Sequence, residues 1–204
     1  MAVLHNLSSS RLLKSLPYDA EVEYLESTGT QYIDTLYNAN NATEFRMKYS
    51  GFTDKYFACG GREDFTLPGF TFSNGGTTFS SYSQYFMYYN RGFATSPCPN
   101  DDNIHEVQMS NVVIVDGVVI YTFRAGSFFN SRTFNLFRTN NEQRFIRYGY
   151  MRIYSCSLID NGKLVRDYIP VRVGNVGYMY DKVSGQLFGN RRSTGLPFLV
   201  GPDV

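Results

Sequence analysis

The stretch Val112-Val-Ile-Val-Asp-Gly-Val-Val-Ile-Tyr121 carries the clearest fold signal in this chain. Two apolar runs rich in β-branched residues flank Asp116-Gly117. An Asp-Gly pair between such runs is typical of a two-residue β-hairpin turn, because both turn positions favour a positive φ. The preceding residues, His105 to Ser110, alternate between polar and apolar side chains, as a half-buried strand does. The segment therefore predicts a β-hairpin that follows another strand.

The same β pattern extends along the chain in both directions from this hairpin. Residues Thr43 to Tyr49 alternate, and Phe45, Met47 and Tyr49 are predicted to face the core. Turns rich in Gly and Asn, such as Asn74-Gly75-Gly76 and Asp160-Asn-Gly162, separate further predicted strands at 31–35, 56–59, 69–72, 84–89, 133–137, 148–158, 164–170 and 176–180. No helical period follows Pro17. The fold class predicted is all-β, an antiparallel β-sandwich of the jelly-roll type.

The composition agrees with a β-sandwich and excludes several other classes. The chain has 204 residues, with 17 Tyr, 17 Phe and no Trp, and only 18% of its residues are charged. Tyr and Phe suit a pleated, half-buried surface. A disordered acidic chain, a coiled coil and collagen are excluded, because each needs few aromatic residues or a strict repeat. We predict one domain, residues 18–204, preceded by an N-terminal arm, residues 1–17.

The predicted arm is a candidate anchor. Its leucines line one side of a short helix or of an extended segment, which Pro17 would end. The candidate anchor residues are Leu4, Leu7, Leu12 and Leu13. The arm is too short to bury this side alone, so it either folds back on the domain or docks onto a partner. A signal peptide is not predicted, because His5 and three serines interrupt the apolar run and the positive charges follow it.

Charge and cysteine usage suggest no nucleic-acid partner and no disulfide scaffold. Residues 1–121 contain 7 Lys/Arg and 13 Asp/Glu, whereas residues 122–204 contain 12 and 5. Because the arginines are dispersed, we interpret this split as two sheets that neutralise each other or a neighbouring subunit; an acidic or nucleic-acid partner is the alternative. No membrane span is predicted. The odd set Cys59, Cys98 and Cys156 is predicted to be reduced and buried.

Catalytic motifs receive little support. The run Glu21-x-Glu23-x-x-Glu26 has the spacing of the catalytic strand of some concanavalin A-like glycosidases, in which two carboxylates act together. Here Glu23 replaces the central Asp, the run opens the domain, and no Trp is present to stack a sugar. The alternative is an exposed edge strand whose charges deter edge pairing. Because nucleophile elbows, Walker loops and dinucleotide fingerprints are also missing, we predict that the chain is not an enzyme.

Several segments together resemble one group of domains. These are Tyr24 to Thr35 (YLESTGTQYIDT), His105-Glu-Val, Val115-Asp-Gly117, Gly149 to Pro170, Val176 to Asn190 and the closing Gly201-Pro-Asp-Val. They resemble concanavalin A-like, laminin-G-like jelly-roll domains of gut bacterial surface proteins and of structural proteins of their tailed phages. The resemblance implies the fold over residues 18–204. It also implies a virion protein, assembled in the host cytoplasm, or a protein of the bacterial cell surface.

Two ligand hypotheses accompany this resemblance. Laminin-G-like domains sometimes hold Ca²⁺, and Asp101, Asp102 and Asn103 form a compact oxygen cluster, although a solvated polar turn is the alternative. No other cofactor is expected. Tyr82, Tyr85, Tyr88 and Tyr89 are candidate contacts for a glycan or a protein partner, because tyrosine combines an apolar ring with a hydroxyl. Core or cross-strand packing is the alternative for these tyrosines.

The function expected from the sequence is structural attachment in a tailed-phage virion, as a capsid decoration, tail or fibre component that contacts host-surface glycans. The expected partners are other virion proteins, reached through the arm, and further copies of the chain, a trimer being one candidate. An aromatic, weakly charged surface would otherwise leave large apolar patches exposed. A carbohydrate-binding module of a bacterial surface protein is the second hypothesis, and a glycoside hydrolase is the third.

Overall fold

A computed structural model describes residues 16–62, 66–74, 83–140, 148–192 and 196–204. In these residues the backbone forms short β-strands joined by turns, without a helix. The strands of the first half are β1 (Ala20–Glu21), β2 (Leu25–Thr28), β3 (Ile33–Asn40), β4 (Thr43–Ser50), β5 (Ala58–Arg62), β6 (Gly69–Asn74), β7 (Gln84–Asn90), β8 (Gly92–Pro97) and β9 (Ile104–Met109). Those of the second half are β10 (Val112–Val115), β11 (Val118–Thr122), β12 (Phe129–Leu136), β13 (Thr139–Asn140), β14 (Tyr150–Asp160), β15 (Lys163–Val173), β16 (Val176–Asp181), β17 (Gln186–Phe188) and β18 (Leu199–Val200).

The strands form two sheets. The larger sheet has eleven strands in the order β11-β10-β9-β4-β14-β15-β16-β17, with β1 beside β15, β2 beside β14 and β18 beside β2. The smaller sheet has seven strands in the order β3-β12-β5-β6-β7-β8, with β13 beside β5. The pairing is antiparallel except for the two-residue contact of β13 with β5. The predicted all-β, antiparallel sandwich is therefore confirmed.

Aromatic side chains join the two sheets. Phe45 of β4 lies 5.2 Å, between ring centroids, from Phe134 of β12 and 6.1 Å from both Phe70 and Phe72 of β6. All four rings are fully buried. Because β4 belongs to the larger sheet and β6 and β12 to the smaller one, these contacts bury the inner face of each sheet against the other.

The alternation predicted for β4 is present and defines the two faces of the larger sheet. Phe45, Met47 and Tyr49 are buried, whereas Arg46 and Lys48 are exposed on the opposite face. Side chains of a strand alternate between faces, so Arg46 and Lys48 point away from the smaller sheet. This outward side is called the outer face below.

The hairpin that dominated the sequence signal has the predicted turn. Asp116 and Gly117 have φ of 50° and 78° and join β10 to β11. The carboxylate of Asp116 also accepts a hydrogen bond from the backbone N–H of Glu106 at 2.8 Å, and the Asp116 N–H donates to the Glu106 carbonyl at 2.9 Å. The turn is thereby fastened to β9 as well as to its own two strands.

Two expectations about strand environment were wrong. The segment from Glu21 to Glu23 is not an edge, because β1 pairs with β15 on one side and the C-terminal residues bond to it on the other. Glu23 donates its N–H to Pro202, and Val204 donates to Glu21. The sequence pattern also predicts that Tyr178 packs inward together with Phe188. In the structure Met179 is buried and Tyr178 only half-buried, so Met179 faces the core beside Phe188 instead.

Several predicted features lie outside the described residues. They are the anchor candidates Leu4, Leu7, Leu12 and Leu13, the turn residues Gly75 and Gly76, and Tyr82.

Candidate functional site

An irregularity in β14 lies at a half-buried tyrosine on the outer face. Ile153 pairs with Tyr49 of β4 and Ser155 pairs with Lys48, so Tyr154 is an extra residue in β14. Such a bulge re-aims a side chain and leaves the inward alternation shifted by one. Ile153 and Cys156 are both buried, and Tyr154 lies beside Tyr24 with ring centroids 5.6 Å apart in an edge-on arrangement.

Tyr154 lies in a groove on the outer face of the larger sheet. One part of the groove has a volume of about 350 Å³, and the adjoining part about 410 Å³. Lys48 and Ser155 line both parts, so the two adjoin each other at these residues. The first part is also lined by Glu21, Glu23, Ile104, Tyr154 and Ile169, and the second by Arg46, Glu106, Gln108, Ser157 and Asp167. We call the two parts together the outer-face groove.

The walls of the outer-face groove carry charges of both signs. Lys48 Nζ lies 4.0 Å from Glu106 Oε1, and this exposed pair contributes little to stability. Asp167 also lines the groove and is paired with Lys182, which does not line it, at 2.7 Å from Lys182 Nζ to Asp167 Oδ2. The groups of Lys48 and Glu106 stay available as hydrogen-bond donor and acceptor, near the ring of Tyr154 and the apolar side chains of Ile104 and Ile169. The groove can therefore bind a ligand that has both hydroxyls and apolar faces.

The three glutamates of the sequence motif are separated by a bend between β1 and β2. Glu21 and Glu23 line the outer-face groove, whereas Glu26 is held by Arg152, whose Nε lies 2.7 Å from Glu26 Oε2. Arg152 in turn stacks on Tyr24, with its guanidinium carbon 4.6 Å from the ring centroid. Glu26 is thus engaged in an ion pair, and only two of the three carboxylates border one cavity.

Tyr18 adds a neutral hydroxyl beside this pair of carboxylates. Its hydroxyl donates to Glu21 Oε1 at 2.9 Å. Partial burial, followed by this hydrogen bond and the charge of Glu21, raises the pKa of Tyr18 to about 12. The phenol stays protonated at neutral pH and acts as a hydrogen-bond donor there.

The tyrosine-rich strand β7 is mainly part of the core. Tyr85 and Tyr89 are 1% and 3% exposed, and the Tyr85 hydroxyl lies 3.2 Å from that of Tyr49. The packing alternative therefore applies to these two residues. Tyr88 is half-buried on the other face of the smaller sheet, where the guanidinium of Arg62 lies 3.5 Å from its ring centroid. Of the described candidates, Tyr88 alone keeps part of its surface open to a partner.

The oxygen cluster proposed for calcium is divided between different partners. Asp101 accepts from the ring of His105 at 2.9 Å and from the backbone N–H of Asn103 at 3.0 Å. Asp102 instead accepts from the N–H and the hydroxyl of Thr53 at 2.6 and 3.0 Å. No set of three or more His, Cys, Asp or Glu residues in the described parts of the chain is arranged to hold a metal. Calcium binding stays a prediction.

The three cysteines are free and buried, as predicted. Burial raises the pKa of the Cys59 thiol to about 12, and it raises that of Cys98 to about 12 as well. Cys156 lines the inner wall of the outer-face groove, and burial raises its pKa well above the ordinary value. Burial therefore favours the protonated form of all three thiols at neutral pH.

Of the residues that line the outer-face groove, sequence reasoning singled out Glu21 and Glu23 as candidate functional residues but missed Tyr154, Lys48 and Ser155. The signal for Tyr154 was present in the strand pattern, since the apolar residues Met151, Ile153, Cys156 and Leu158 skip two positions instead of one between Ile153 and Cys156. That spacing is typical of a bulge and places two consecutive residues, Tyr154 and Ser155, on the outer face. The groove itself depends on strands far apart in sequence.

No helix in the described residues is long and apolar enough to cross a membrane. Comparisons with known proteins add no relationship: no family model matches the chain, and no curated protein is significantly similar to it.

Proposed function

We propose that this chain is a non-enzymatic attachment protein of a tailed-phage virion, and that it holds a host-surface glycan in the outer-face groove. The sequence resemblance to concanavalin A-like jelly-roll domains supports the setting. The observation that carries the binding role is the bulge at Tyr154, which presents an aromatic ring inside a groove lined by polar side chains. The same groove would serve a carbohydrate-binding module on a bacterial surface.

The chemistry of the outer-face groove favours a sugar polymer. Sugars have apolar ring faces and a rim of hydroxyls. The Tyr154 ring with Ile104 and Ile169 supplies apolar contact, and Lys48, Glu106, Gln108 and Ser155 supply donors and acceptors. Glycan hydroxyls are neutral, and the groove is lined by four carboxylates and two cations, so a neutral glycan suits it better than a strongly anionic chain. The two adjoining parts, of about 350 and 410 Å³, offer room for more than one sugar unit.

A glycan array with the purified full-length chain tests this proposal. We expect binding to a small set of glycans, and Tyr154→Ala should weaken that binding at least about tenfold, which corresponds to 1.4 kcal/mol of lost contact. Tyr150→Ala is the matched control, because Tyr150 is an exposed tyrosine on the same strand, β14, but does not line the groove. An array without a positive glycan, or equal losses in both variants, would refute the glycan role.

Hydrolysis of a glycan is a second candidate, because Glu21 and Glu23 border the same groove as Tyr154. Retaining hydrolysis needs two carboxylates about 5–5.5 Å apart on either side of the bond that is cleaved. Release of reducing sugar from the glycan bound on the array would support this candidate, provided that Glu21→Gln or Glu23→Gln abolishes it. Binding without release would favour the attachment role.

Assembly through the arm and self-association complete the proposal. Deleting residues 2–17 should leave a folded domain that no longer joins its particle, and normal incorporation of the truncated chain would exclude the anchor. Exposed Val118, Val119 and Tyr121 on the outermost strand β11 support association between copies, because large apolar side chains grouped at the surface are often part of an interface. The mass of the purified chain in solution, measured by sedimentation, tests that part independently.

A further inference from the structure

A second cavity has a volume of about 420 Å³. It lies at the side of the sandwich where β11 is the outermost strand of the larger sheet and β8 the outermost strand of the smaller one. Strands β17 and β3 are at the opposite ends of these sheets. The hairpin between β7 and β8 forms one wall, and the residues that follow β11 form the other. Tyr89, Arg91 and Gly92 line the first wall, and Phe123, Arg124 and Gly126 line the second. We call this cavity the arginine pocket. Its volume lies within the range usual for small-molecule sites.

The floor of the arginine pocket is rigid. The rings of Tyr89 and Phe123 stack with centroids 5.8 Å apart and an angle of 25°. Both residues are almost fully buried, and Phe123 donates its N–H to the carbonyl of Asn111 at 2.7 Å. A Cβ on Gly92 would lie 3.0 Å from Phe123 Cδ1, so the glycine lets the hairpin approach the ring closely. The pocket is thus preformed by packing across the two sheets.

Two arginines border the arginine pocket without a compensating carboxylate. Arg91 follows Asn90 in the β7–β8 turn, and Arg124 follows the end of β11. Neither guanidinium forms a salt bridge with the described residues, and no acidic residue among them lines the cavity. By contrast, Arg46, Arg152 and Arg172 are each paired with a carboxylate of this chain.

Both arginines are exposed, and neither has a salt-bridge partner among the described residues, so their charges are open to a ligand at the cavity. An anion bound there would supply the opposite charge that the described part of the chain does not provide. A guanidinium matches a carboxylate with two parallel hydrogen bonds, which gives both strength and orientation. Ala125 and the small exposed part of Phe123 add apolar surface to the cavity, which favours an anion with an organic body.

We propose that the arginine pocket binds a carboxylate-bearing sugar, with the carboxylate between Arg91 and Arg124 and the ring of the sugar against Phe123 and Ala125. This site is separate from the outer-face groove and shares no residue with it. Its test therefore succeeds or fails independently of the function proposed above.

Titrations of the full-length chain with glucuronate, glucose and acetate, followed by two-dimensional amide NMR, test this site. Glucuronate should shift the Gly92 and Gly126 amide signals in a saturable way. Glucose lacks the charge and should bind at least about tenfold more weakly, because a hydrogen bond to a charged group contributes a factor of about ten or more in affinity. Acetate lacks the ring and should also bind at least about tenfold more weakly. Arg91→Gln and Arg124→Gln should each weaken glucuronate binding about tenfold. Added salt should weaken it as well, because salt screens exposed charges.

Two control variants show whether glucuronate binds in the arginine pocket or elsewhere on the surface. Lys163→Gln removes an exposed cation from the β14–β15 turn and should leave glucuronate binding unchanged. Tyr154→Ala should also leave it unchanged, because Tyr154 lies in the outer-face groove. The proposal is overturned if glucuronate produces no saturable shift at millimolar concentration, if glucose, acetate or inorganic phosphate binds as tightly, or if the two arginine variants bind like the wild type.

Discussion

His105 Nδ1 lies 2.7 Å from Asp116 Oδ2, which ties the start of β9 to the turn of the β10–β11 hairpin. The other ring nitrogen faces Asp101 Oδ1 at 2.9 Å. Burial alone lowers the pKa of His105, but the hydrogen bonds and charges of Asp116 and Asp101 outweigh it, so the pKa is raised above its ordinary value. The hydrogen bond from His105 also lowers the pKa of Asp101, against a smaller opposing effect of burial.

The first prediction concerns the pH dependence of stability. Because the pKa of His105 is higher in the folded state, its contribution is complete below about pH 6.5, the ordinary value for histidine, and declines as the pH rises through the raised pKa. On the acid side, the contribution of Asp101 is lost as the pH falls through its lowered pKa. His105→Gln should therefore destabilise the chain by on the order of 1 kcal/mol at pH 6, because both carboxylates are partly exposed.

Urea unfolding of wild type and His105→Gln from pH 5 to about pH 9 measures this difference. The gap between the two proteins should narrow as the pH rises. Asp116→Asn is a matched variant, since it keeps an oxygen for the N–H of Glu106 but removes the charge. A gap that is constant across the range would contradict the ionic role of His105.

The second prediction concerns Asp181, a fully buried carboxylate at the end of β16. It accepts hydrogen bonds from the N–H groups of Asp167 at 2.8 Å, Val183 at 3.1 Å and Ser184 at 3.3 Å. Asp181→Ala leaves these donors unpaired and should lower the free energy of unfolding by about 3–5 kcal/mol. Asp181→Asn keeps one acceptor oxygen and should cost less, which denaturant unfolding of the two variants can compare. Equal losses would show that the charge, not the acceptors, matters.

The third prediction concerns Gly60, which lies inside β5 with φ of 119°. A Cβ at this position would lie 2.2 Å from the carbonyl oxygen of Phe70 in the neighbouring strand. Gly60→Ala should therefore destabilise the chain by more than about 2 kcal/mol. The alanine disfavours the positive φ of residue 60, and the backbone of the neighbouring strand β6 must also shift to make room for its Cβ. Gly162→Ala is the control, since Gly162 has φ of 75° but open space around it, and it should cost about 1 kcal/mol. Thermal unfolding measures the stability that each variant loses. Equal losses in Gly60→Ala and Gly162→Ala would contradict the close approach of Phe70 to Gly60.

The fourth prediction separates the two kinds of tyrosine in β7. Tyr85 packs within 5.0 Å of Phe72, measured between ring centroids, and is buried, so Tyr85→Ala should cost about 3–5 kcal/mol, as for other large aromatic residues. Tyr88 contacts Arg62 and Phe93 on the outer side of the smaller sheet, and Tyr88→Ala should cost less than about 2 kcal/mol. A reversed order of the two losses would mean that β7 is shifted by one residue.

The fifth prediction concerns thiol reactivity. Because Cys59, Cys98 and Cys156 are buried and their pKa values are raised, Ellman's reagent should modify none of them rapidly in the native chain. All three should react once the chain is unfolded in urea. Rapid reaction of one thiol under native conditions would show that the region around it opens easily. Cys98 is the most exposed of the three, so the Cys98→Ser variant would show whether a rapidly reacting thiol is Cys98.

The strand alternation and the turns were predictable because their physics is local. Phe45, Met47 and Tyr49 alternate with charged residues, and Asp116-Gly117 can adopt the positive φ that a two-residue hairpin needs. The acceptor role of Asp181 after β16 was predictable for the same reason, since its partners Val183 and Ser184 are nearby in the chain. By contrast, the position of Glu21 and Glu23 between β15 and the C-terminal residues depends on contacts more than a hundred residues apart.

By itself the sequence determined that this chain folds as an antiparallel sandwich with buried, reduced cysteines, because side-chain periodicity, turn residues and composition act over a few residues at a time. Only the tertiary structure decided where a ligand could lie. The outer-face groove combines β1, β4, β9, β14 and β15, and the arginine pocket joins a turn of one sheet to a crossover from the other. The order of the strands decides which residues lie together in these two places. That order follows from the packing of two whole sheets, and no local sequence pattern encodes it.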